Sequence, residues 1–466
     1  MRGRAIIAVA LFVALFFHAP LAAHIGSPDV FLDGLAGPYR LLVTIRPPIA
    51  IPGVADVEVL TTTDGVRDVH IVPLPLAGLG AKFAPVPDRA ARSSDDPKLF
   101  TGHLWLMTAG AWQVRVSVAG DKGEGMLSVP VPTLPQQTLA MTTVRRAMLS
   151  VFMFLLAAGF VAIVSAIARE AKLGAGETLD RRAKRRGRIA GSVATVVIAG
   201  VLYLGNLWWG VEATAYDRYV YKPLLATPTL LANGTLRLDL HDPGWIGSRR
   251  MDDFITDHGH LMHLFVLSPD LDRLWHLHPD EVAAGRFEQR LPNLPAGKYD
   301  IFADVVHATG LPETVTGELD TPALGGVPLS GDDSAWSSTD TSDTKIVWVQ
   351  NGVLHPKHLE MFTFRVEDQS GKPVQDLELY MGMPGHAVFV RRDRKVFAHV
   401  HPSGSAPMAA IDLAMPGANA HAQHQMGTPS TVTFPYGFPE SGQYRIFVQV
   451  KRAGSVITGA FDALVK

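Results

Sequence analysis

The chain has 466 residues, of which 47% are hydrophobic and 18% are charged, and its formal net charge is −2. This near-neutral charge excludes a strongly basic nucleic-acid-binding protein and a polyacidic tail protein. The absence of cysteine excludes disulfides, Cys-ligated zinc and iron–sulfur sites, and thiol catalysis. With 18 His and 14 Met, imidazole and thioether remain as the nitrogen and sulfur side-chain ligands for a soft or borderline metal ion.

Residues 1–23 have the pattern of a secretory signal peptide. Two arginines precede an apolar run at 5–17, and small residues end at Ala23. Cleavage after Ala23 would make His24 the new N-terminus. Its amine and imidazole would then be able to chelate Cu(II) together.

Two further apolar segments, 147–168 and 189–209, contain no charged residue and are long enough to cross a bilayer. The segment between them, 169–188, carries eight Lys and Arg residues, so the positive-inside rule places it in the cytoplasm. Residues 24–146 and 210–466 are therefore expected to face outward, into the periplasm of an inner-membrane protein. The alternative is a pair of buried core helices in a soluble domain.

Outside these helices, β-strand patterns predominate. Short β-rich runs bounded by Gly, Pro and Asp predict strands. These runs are Leu41–Ile45, Val57–Leu60, Gln113–Val118, Leu236–Leu240 and Phe362–Val366.

A glycine followed two residues later by an aromatic residue opens a predicted strand at three places. These are Gly110 with Trp112, Gly297 with Tyr299, and Gly442 with Tyr444. The pattern is typical of a late strand in a β-sandwich. We therefore predict a mainly β protein of three immunoglobulin-like β-sandwiches, with two transmembrane helices between the first and the second. The sandwiches would span 24–146, 210–322 and 344–466, and the small, polar segment 323–343 would link the last two.

The second and third predicted sandwiches share a His/Met pattern that aligns without a gap. The first copy consists of His258, His260, His263, His276 and His278, and the second of Met381, Met383, His386, His399 and His401. Exchange of His for Met at matched positions is hard to explain by packing. It is expected for metal ligands, because both side chains are neutral donors to soft or borderline ions. We therefore predict that these ten residues bind metal.

A turn lies in the middle of each copy, at 268–272 and at 391–395. A hairpin centred there places His263 opposite His276, and His386 opposite His399. His278 and His401 follow on the same strand face. The upstream HxH and MxM residues have the wrong parity for that face, so a bulge or loop near Gly259 and at 382–384 would be needed to bring them in.

The donor set favours copper, as Cu(I) or as a Cu(I)/Cu(II) couple, and zinc is an alternative ion at the all-His copy. A later stretch rich in Ala and Gly could capture copper loosely, or be an ordinary flexible loop. Its His and Met residues are Met408, Met415, His421, His424 and Met426.

The outward segments resemble small periplasmic copper-binding β-sandwich proteins of the CopC-like and the YtkA- and FixH-like kinds. The repeated Gly-x-aromatic motif and the His/Met copies at 258–279 and 381–402 carry this resemblance, and Gly37–Val59 resembles the FixH/YtkA type. The resemblance implies copper handling or oxidase assembly at a membrane. The two membrane spans between sandwiches, and a first sandwich without the ligand set, depart from those families.

The sequence thus favours a membrane-anchored, non-enzymatic protein that buffers, sequesters or delivers copper in the periplasm. A copper transporter or a cytochrome oxidase assembly protein would be its partner, and nucleic acid is not expected. One alternative is a cupin-like metal-dependent enzyme that uses His276, His278 and Glu281. Another is a non-metal interaction module whose histidines are incidental or sense pH.

Overall fold

The computed structural model describes residues 28–174, 176–245, 249–339, 343–349, 352–417 and 430–466. The chain forms two compact units. One contains the residues up to Gln136 together with Tyr221–Lys466, and the other is Gln137–Val220. The predicted signal peptide, His24, His421, His424 and Met426 lie outside the described residues.

The smaller unit consists of two long helices, α1 (Thr143–Glu170) and α2 (Arg181–Asp217). Both are long and apolar enough to cross a membrane, with mean hydropathies of 2.6 and 1.7 over their most apolar windows. Both extend beyond the predicted spans, and residues 181–188 of the predicted basic loop form the first turns of α2. The Asp180 carboxylate caps that helix by accepting from the amide of Ala183, which satisfies a terminal donor.

Small residues bring the two helices together. Gly187 and Gly191 are buried on α2, and each lies against Ser165 of α1. The Ser165 hydroxyl donates to the carbonyl oxygen of Gly187 at 2.9 Å. Two glycines four residues apart lie on one helix face, and their lack of side chains allows this close approach.

In the larger unit, residues 28–136 form two sheets around one apolar core. The sheet orders are β1-β2-β3-β7-β6 and β5-β4-β8-β9, and the core takes residues from both sheets. A short 3-10 helix, Leu79–Lys82, follows the fourth strand. The strands are β1 (Val30–Ala36), β2 (Tyr39–Arg46), β3 (Gly53–Thr61), β4 (Val66–Pro75), β5 (Asp88–Arg89), β6 (Ala91–Arg92), β7 (Leu99–Leu106), β8 (Gly110–Gly120) and β9 (Gly123–Thr133).

The second β region forms one ten-stranded sheet that follows the order β15-β16-β11-β10-β18-β17-β13-β14-β19, with β12 paired to β17. Its last strand lies inside the segment predicted as a linker, which the small, polar composition did not indicate. The strands are β10 (Leu225–Leu230), β11 (Thr235–His241), β12 (Phe254–Ile255), β13 (His263–Leu267), β14 (Arg273–Leu277), β15 (Asp280–Ala283), β16 (Arg286–Arg290), β17 (Gly297–His307), β18 (Pro312–Thr321) and β19 (Ser334–Ser337).

The third β region has a three-stranded sheet, β20-β21-β25, and a five-stranded sheet, β22-β26-β23-β24, with β27 also paired to β26. An apolar core joins the two sheets. A short helix, α3 (Met408–Ala414), precedes β25. The strands are β20 (Thr344–Val349), β21 (Glu360–Asp368), β22 (Leu377–Glu378), β23 (His386–Arg391), β24 (Phe397–Val400), β25 (Thr431–Tyr436), β26 (Gly442–Arg452) and β27 (Ser455–Val465).

All five predicted strand runs lie inside observed strands, and the three Gly-x-aromatic motifs open β8, β17 and β26. Each motif aromatic donates to a backbone carbonyl four residues upstream. Trp112 donates to Thr108 at 2.9 Å, Tyr299 to Pro295 at 2.8 Å and Tyr444 to Glu440 at 2.8 Å. The fold is thus mainly β, with the same local corner built three times.

The β13–β14 and β23–β24 hairpins pack against each other through a shared apolar cluster. Phe265 and Phe302 come from the second β region, and Val388, Phe397 and Phe447 come from the third. The rings of Phe302 and Phe397 stack with centroids 4.3 Å apart. This contact holds the histidine-bearing ends of the two hairpins next to each other.

Candidate metal centre

Both predicted hairpins form, but their register differs by two residues from the prediction. His276 lies opposite Phe265, and His399 lies opposite Val388. The last paired residues before each hairpin loop are Leu267 with Leu274 and Val390 with Phe397. Each loop therefore contains two more residues than the predicted register gives it. A shift of two preserves side-chain parity, because successive residues alternate between faces. The imidazoles of each hairpin therefore still share one face.

The two upstream motifs form matched tight turns, so the loop alternative of the predicted bulge or loop is the one observed. Asp257 and His260 exchange backbone hydrogen bonds of 2.8 and 3.0 Å across one turn, and Tyr380 and Met383 do the same across the other. The first central residue is left-handed in both turns, with φ of 52° at His258 and 50° at Met381, and glycine follows it. Two consecutive positive φ values produce a two-residue hairpin turn, in which glycine is favoured at the second position.

The first group of histidines consists of His263, His276 and His278. Each offers one ring nitrogen, and these nitrogens lie within 4.8 Å of one another. The other nitrogen of each ring has an outer oxygen partner. His263 Nε2 lies 3.1 Å from the Asp257 carbonyl, His276 Nδ1 lies 2.9 Å from Gln449 Oε1, and His278 Nδ1 lies 3.0 Å from Asp333 Oδ1. Such outer acceptors fix which nitrogen carries the proton and leave the other lone pair directed inward.

Two inward nitrogens of this group face each other. His263 Nδ1 and His276 Nε2 are 3.2 Å apart and both rings are buried. The outer oxygen acceptors favour protons on the opposite nitrogens, and in those tautomers two lone pairs face each other at this distance. Two lone pairs repel unless a cation lies between them. Nitrogens bound to one tetrahedral zinc at about 2.0–2.1 Å lie roughly 3.3 Å apart.

The second group consists of His258, His386 and His401, again with one nitrogen each within 4.8 Å. His258 comes from the other copy of the motif, which the sequence did not predict. Its Nδ1 donates to the carbonyl oxygen of Met381 at 2.9 Å. His386 is fully buried, and neither of its ring nitrogens has a hydrogen-bond partner among the described residues. An unpartnered buried nitrogen costs about 1–3 kcal/mol, and a cation bound to this ring would remove that cost.

His399 connects the two groups. Its ring centroid lies 5.3 Å from that of His263, 5.4 Å from His386 and 4.6 Å from His401. Its Nδ1 lies 3.4 Å from an oxygen of Asp304, and its Nε2 is buried without a partner in the described part of the chain. The two groups and His399 thus form one continuous cluster.

Burial keeps these imidazoles neutral. The loss of hydration, reinforced by neighbouring imidazoles, holds the pKa values of His263, His276 and His386 well below the usual range for histidine. Burial also lowers the pKa of His399, to about 3. For His278, burial lowers the pKa in spite of the opposing hydrogen bond to Asp333. The neutral ring is the form that binds metal.

Asp304 and Gln449 are outer partners that the sequence analysis missed. They occupy matched positions, since Asp304 lies opposite His263 and Gln449 lies opposite His386 on their sheets. A signal existed, because each lies seven residues after the glycine of a repeated Gly-x-Tyr motif. Burial raises the pKa of Asp304 to about 7, although the hydroxyl of Thr314 opposes this.

Three predicted ligands have neighbours that the hairpin geometry did not indicate. His260 is partly exposed, lies 3.3 Å from Asp332 and stacks on His278 with centroids 4.0 Å apart. Met383 is fully buried in the apolar core of the first β region, a position that packing alone explains. Met381 is buried at the tip of its turn, and its carbonyl accepts from His258.

Met408 and Met415 do not belong to a loose loop, as one interpretation of the sequence held. Met408 begins helix α3 and is buried in the first core, against which Met415 also packs. Apolar contacts therefore account for both side chains. Glu281, the acid of the cupin-like alternative, accepts from the amide of Gly285 at 3.1 Å within its own hairpin.

A cavity of about 790 Å³ reaches the histidine cluster. His263, His399 and His401 line part of it, and Asp257, Asp304, Arg394 and Lys395 line other parts. An ion or a small ligand inside this cavity would meet imidazole and carboxylate groups. The cavity therefore brings imidazole, carboxylate and basic groups together within a mostly apolar wall.

A family profile matches the third β region of this chain. A profile of a domain of unknown function, DUF8832, matches residues 339–466, which include the second copy of the motif. No curated protein matches the chain.

Solved structures match only weakly. A tetra-tandem repeat in the extending region of a large adhesion protein is 8% identical with a TM-score of 0.16, covering 89% of this chain and 71% of that one. The elastase-activated alpha-2-macroglobulin of Escherichia coli is 8% identical with a TM-score of 0.21, covering 93% and 35%. A marsupial T cell receptor is 9% identical with a TM-score of 0.19, covering 90% and 98%.

Proposed function

We propose that this protein is a membrane-anchored copper-binding protein that buffers, sequesters or delivers copper on the periplasmic side of the inner membrane. One observation carries the proposal. The nitrogens of two buried imidazoles, His263 and His276, face each other at 3.2 Å while their outer nitrogens are held by oxygen acceptors. That arrangement is stable when a cation accepts both lone pairs.

Further contacts support a bound metal. Imidazole nitrogens of His278, His386 and His399 are buried without partners among the described residues. Pairs of histidine with carboxylate, such as His278 with Asp333, are typical outer contacts of metal ligands. The cavity beside the cluster, which Asp257 and Asp304 line in part, would give a cation access to the imidazoles.

Copper is the ion that this donor set favours. The chain lacks cysteine, and the duplicated motif combines imidazole with thioether in place of carboxylate. Thioether selects Cu(I), whereas imidazole alone also suits Cu(II) and zinc. Zinc therefore remains the alternative ion at the all-His copy of the motif, His258–His278.

The location rests on the apolar helices and on charge. α1 and α2 would span the membrane. The eight Lys and Arg residues of 169–188, most of them in the first turns of α2, would hold this end of the helix pair in the cytoplasm. Three corners of the same geometry support three immunoglobulin-like sandwiches on the outer side. A copper transporter or an oxidase assembly protein would exchange copper with them.

Metal binding is tested on the full chain in detergent. The first and third β regions each contribute residues to the other's apolar core, so neither is separated from the other. We expect the wild type to retain copper after dialysis, measured by elemental analysis. The double variant His276→Ala and His399→Ala should lose most of it. The control pair His355→Ala and His358→Ala removes exposed histidines outside the cluster. Equal copper content in all three proteins would contradict the proposal.

A further inference from the structure

The two histidine hairpins are related by a local twofold arrangement. Asp304 of the second β region faces His399 of the third, and the matched Gln449 of the third faces His276 of the second. The turns also contact the opposite copy. The Nδ1 of His258 donates to the carbonyl oxygen of Met381 at 2.9 Å, and the Tyr380 hydroxyl lies 3.4 Å from Nδ1 of His276. Matched residues therefore make matched contacts, in part with the opposite copy.

His258 takes part in this exchange. Its ring lies 5.0 Å from His386 and 4.7 Å from His401, so it completes a group in the opposite copy. The residue at the matched position is Met381, and its φ of 50° is close to the 52° of His258. Under the twofold arrangement, the counterparts of His386 and His401 are His263 and His278.

The burial of Met381 is consistent with a role across the interface. Its side chain is 8% exposed, yet it belongs to no apolar core cluster among the described residues. Met383, two residues later, is a member of such a cluster. Apolar core packing among the described residues therefore does not account for the burial of this thioether.

We propose that the two copies exchange ligands. Met381 supplies its thioether to the group of His263, His276 and His278, while His258 completes the group of His386 and His401. This proposal rests on the proposed metal-binding function. It moves Met381 from the group of His386 and His401, where the sequence pattern put it, to the group of the other copy. One site then has three imidazoles and a thioether, which favours Cu(I), and the other has imidazoles alone, which also suits Cu(II).

A double-mutant cycle on the full chain in detergent tests the exchange, with Cu(I) affinity measured by competition with a chromophoric chelator. Met381→Leu keeps the side-chain volume and removes the sulfur, and should weaken one of two Cu(I) sites about tenfold or more. In a His278→Gln background it should add nothing. In a His401→Gln background its full effect should remain, because the two changes then lie in different sites.

A second readout separates ligand loss from misfolding. X-ray absorption of the Cu(I)-loaded chain should contain a copper–sulfur component that falls in Met381→Leu and persists in Met361→Leu, whose side chain is exposed. Coupling of Met381 to His401 instead of His278 would overturn the exchange while leaving copper binding intact. A wild-type chain that binds no Cu(I) would overturn the proposed function and the exchange with it.

Discussion

At the residue scale, the outer partners of the imidazoles decide what the cluster can do. Asp333 illustrates this. One of its oxygens lies 2.9 Å from the amide nitrogen of His278 and 3.0 Å from its Nδ1, and the other accepts from Gln289 at 3.0 Å. The carboxylate thus anchors both the backbone and the ring of His278. This leaves Nε2 as the nitrogen available to a metal.

We expect Asp333→Ala to lower copper affinity by about 10–100-fold, because the ring of His278 loses the acceptor that sets its tautomer and orientation. Chelator competition on the full chain measures this. Asp280→Ala is the matched control, since Asp280 is exposed and follows His278 by two residues. Similar losses in both variants would show that Asp333 has no special role.

At the scale of elements, the two hairpins form the cluster only because their apolar faces meet. Phe397 of β24 is 1% exposed and stacks on Phe302 of β17. Leu271 and Arg394 occupy matched positions in the two hairpin loops, and both adopt positive φ, near 60°. Because the loops match, the two hairpins have the same strand register, with Phe265 opposite His276 and Val388 opposite His399. Residues at matched positions of the two hairpins therefore face each other across the interface.

We expect Phe397→Ala to lower the free energy of unfolding by about 3–5 kcal/mol, because it leaves a cavity between the hairpins. Denaturant unfolding of the full chain measures the change. Phe83→Ala, at a position that is 76% exposed, serves as the control and should stay within about 0.5 kcal/mol of the wild type. A loss below about 1 kcal/mol for Phe397→Ala would mean that the interface relaxes without cost.

At the scale of the whole molecule, the first β region supports the third. Phe31 of β1 is buried in the core of the third region, and the amide of Asp33 donates to the carbonyl oxygen of Ser403 at 2.7 Å. Ser403 lies two residues after His401. The region without the histidine motif therefore helps to hold one end of the cluster.

The buried neutral histidines make the metal-free chain sensitive to acid. Their pKa values lie below the 6.5 of the unfolded state, down to about 3 for His399. Stability is therefore fully present above about pH 6.5 and falls as the pH decreases towards 3, by up to about 1.4 kcal/mol per pH unit for each histidine. Asp304, whose pKa is raised to about 7, acts in the opposite sense and offsets part of this loss.

Unfolding of the chelator-treated chain at pH 7.5 and at pH 5 measures this dependence. We expect a lower unfolding free energy at pH 5. His276→Gln should reduce the difference, because the variant has one fewer group to protonate in the unfolded state. Equal stability at the two pH values would indicate that the cluster is hydrated.

Sequence alone determined the local features of this protein. Alternation and turn residues predicted strands such as Leu236–Leu240, the Gly-x-aromatic motif predicted where β17 and β26 begin, and apolar length predicted two long helices. The duplicated spacing also predicted that His263, His276 and His278 share one strand face, and that His386, His399 and His401 share another, because parity along a strand is a local property. Only the tertiary structure decided that the two hairpins face each other, that His258 joins the opposite copy, and that Asp304 and Gln449 reach across. Those contacts depend on packing between segments far apart in sequence, which no local period encodes.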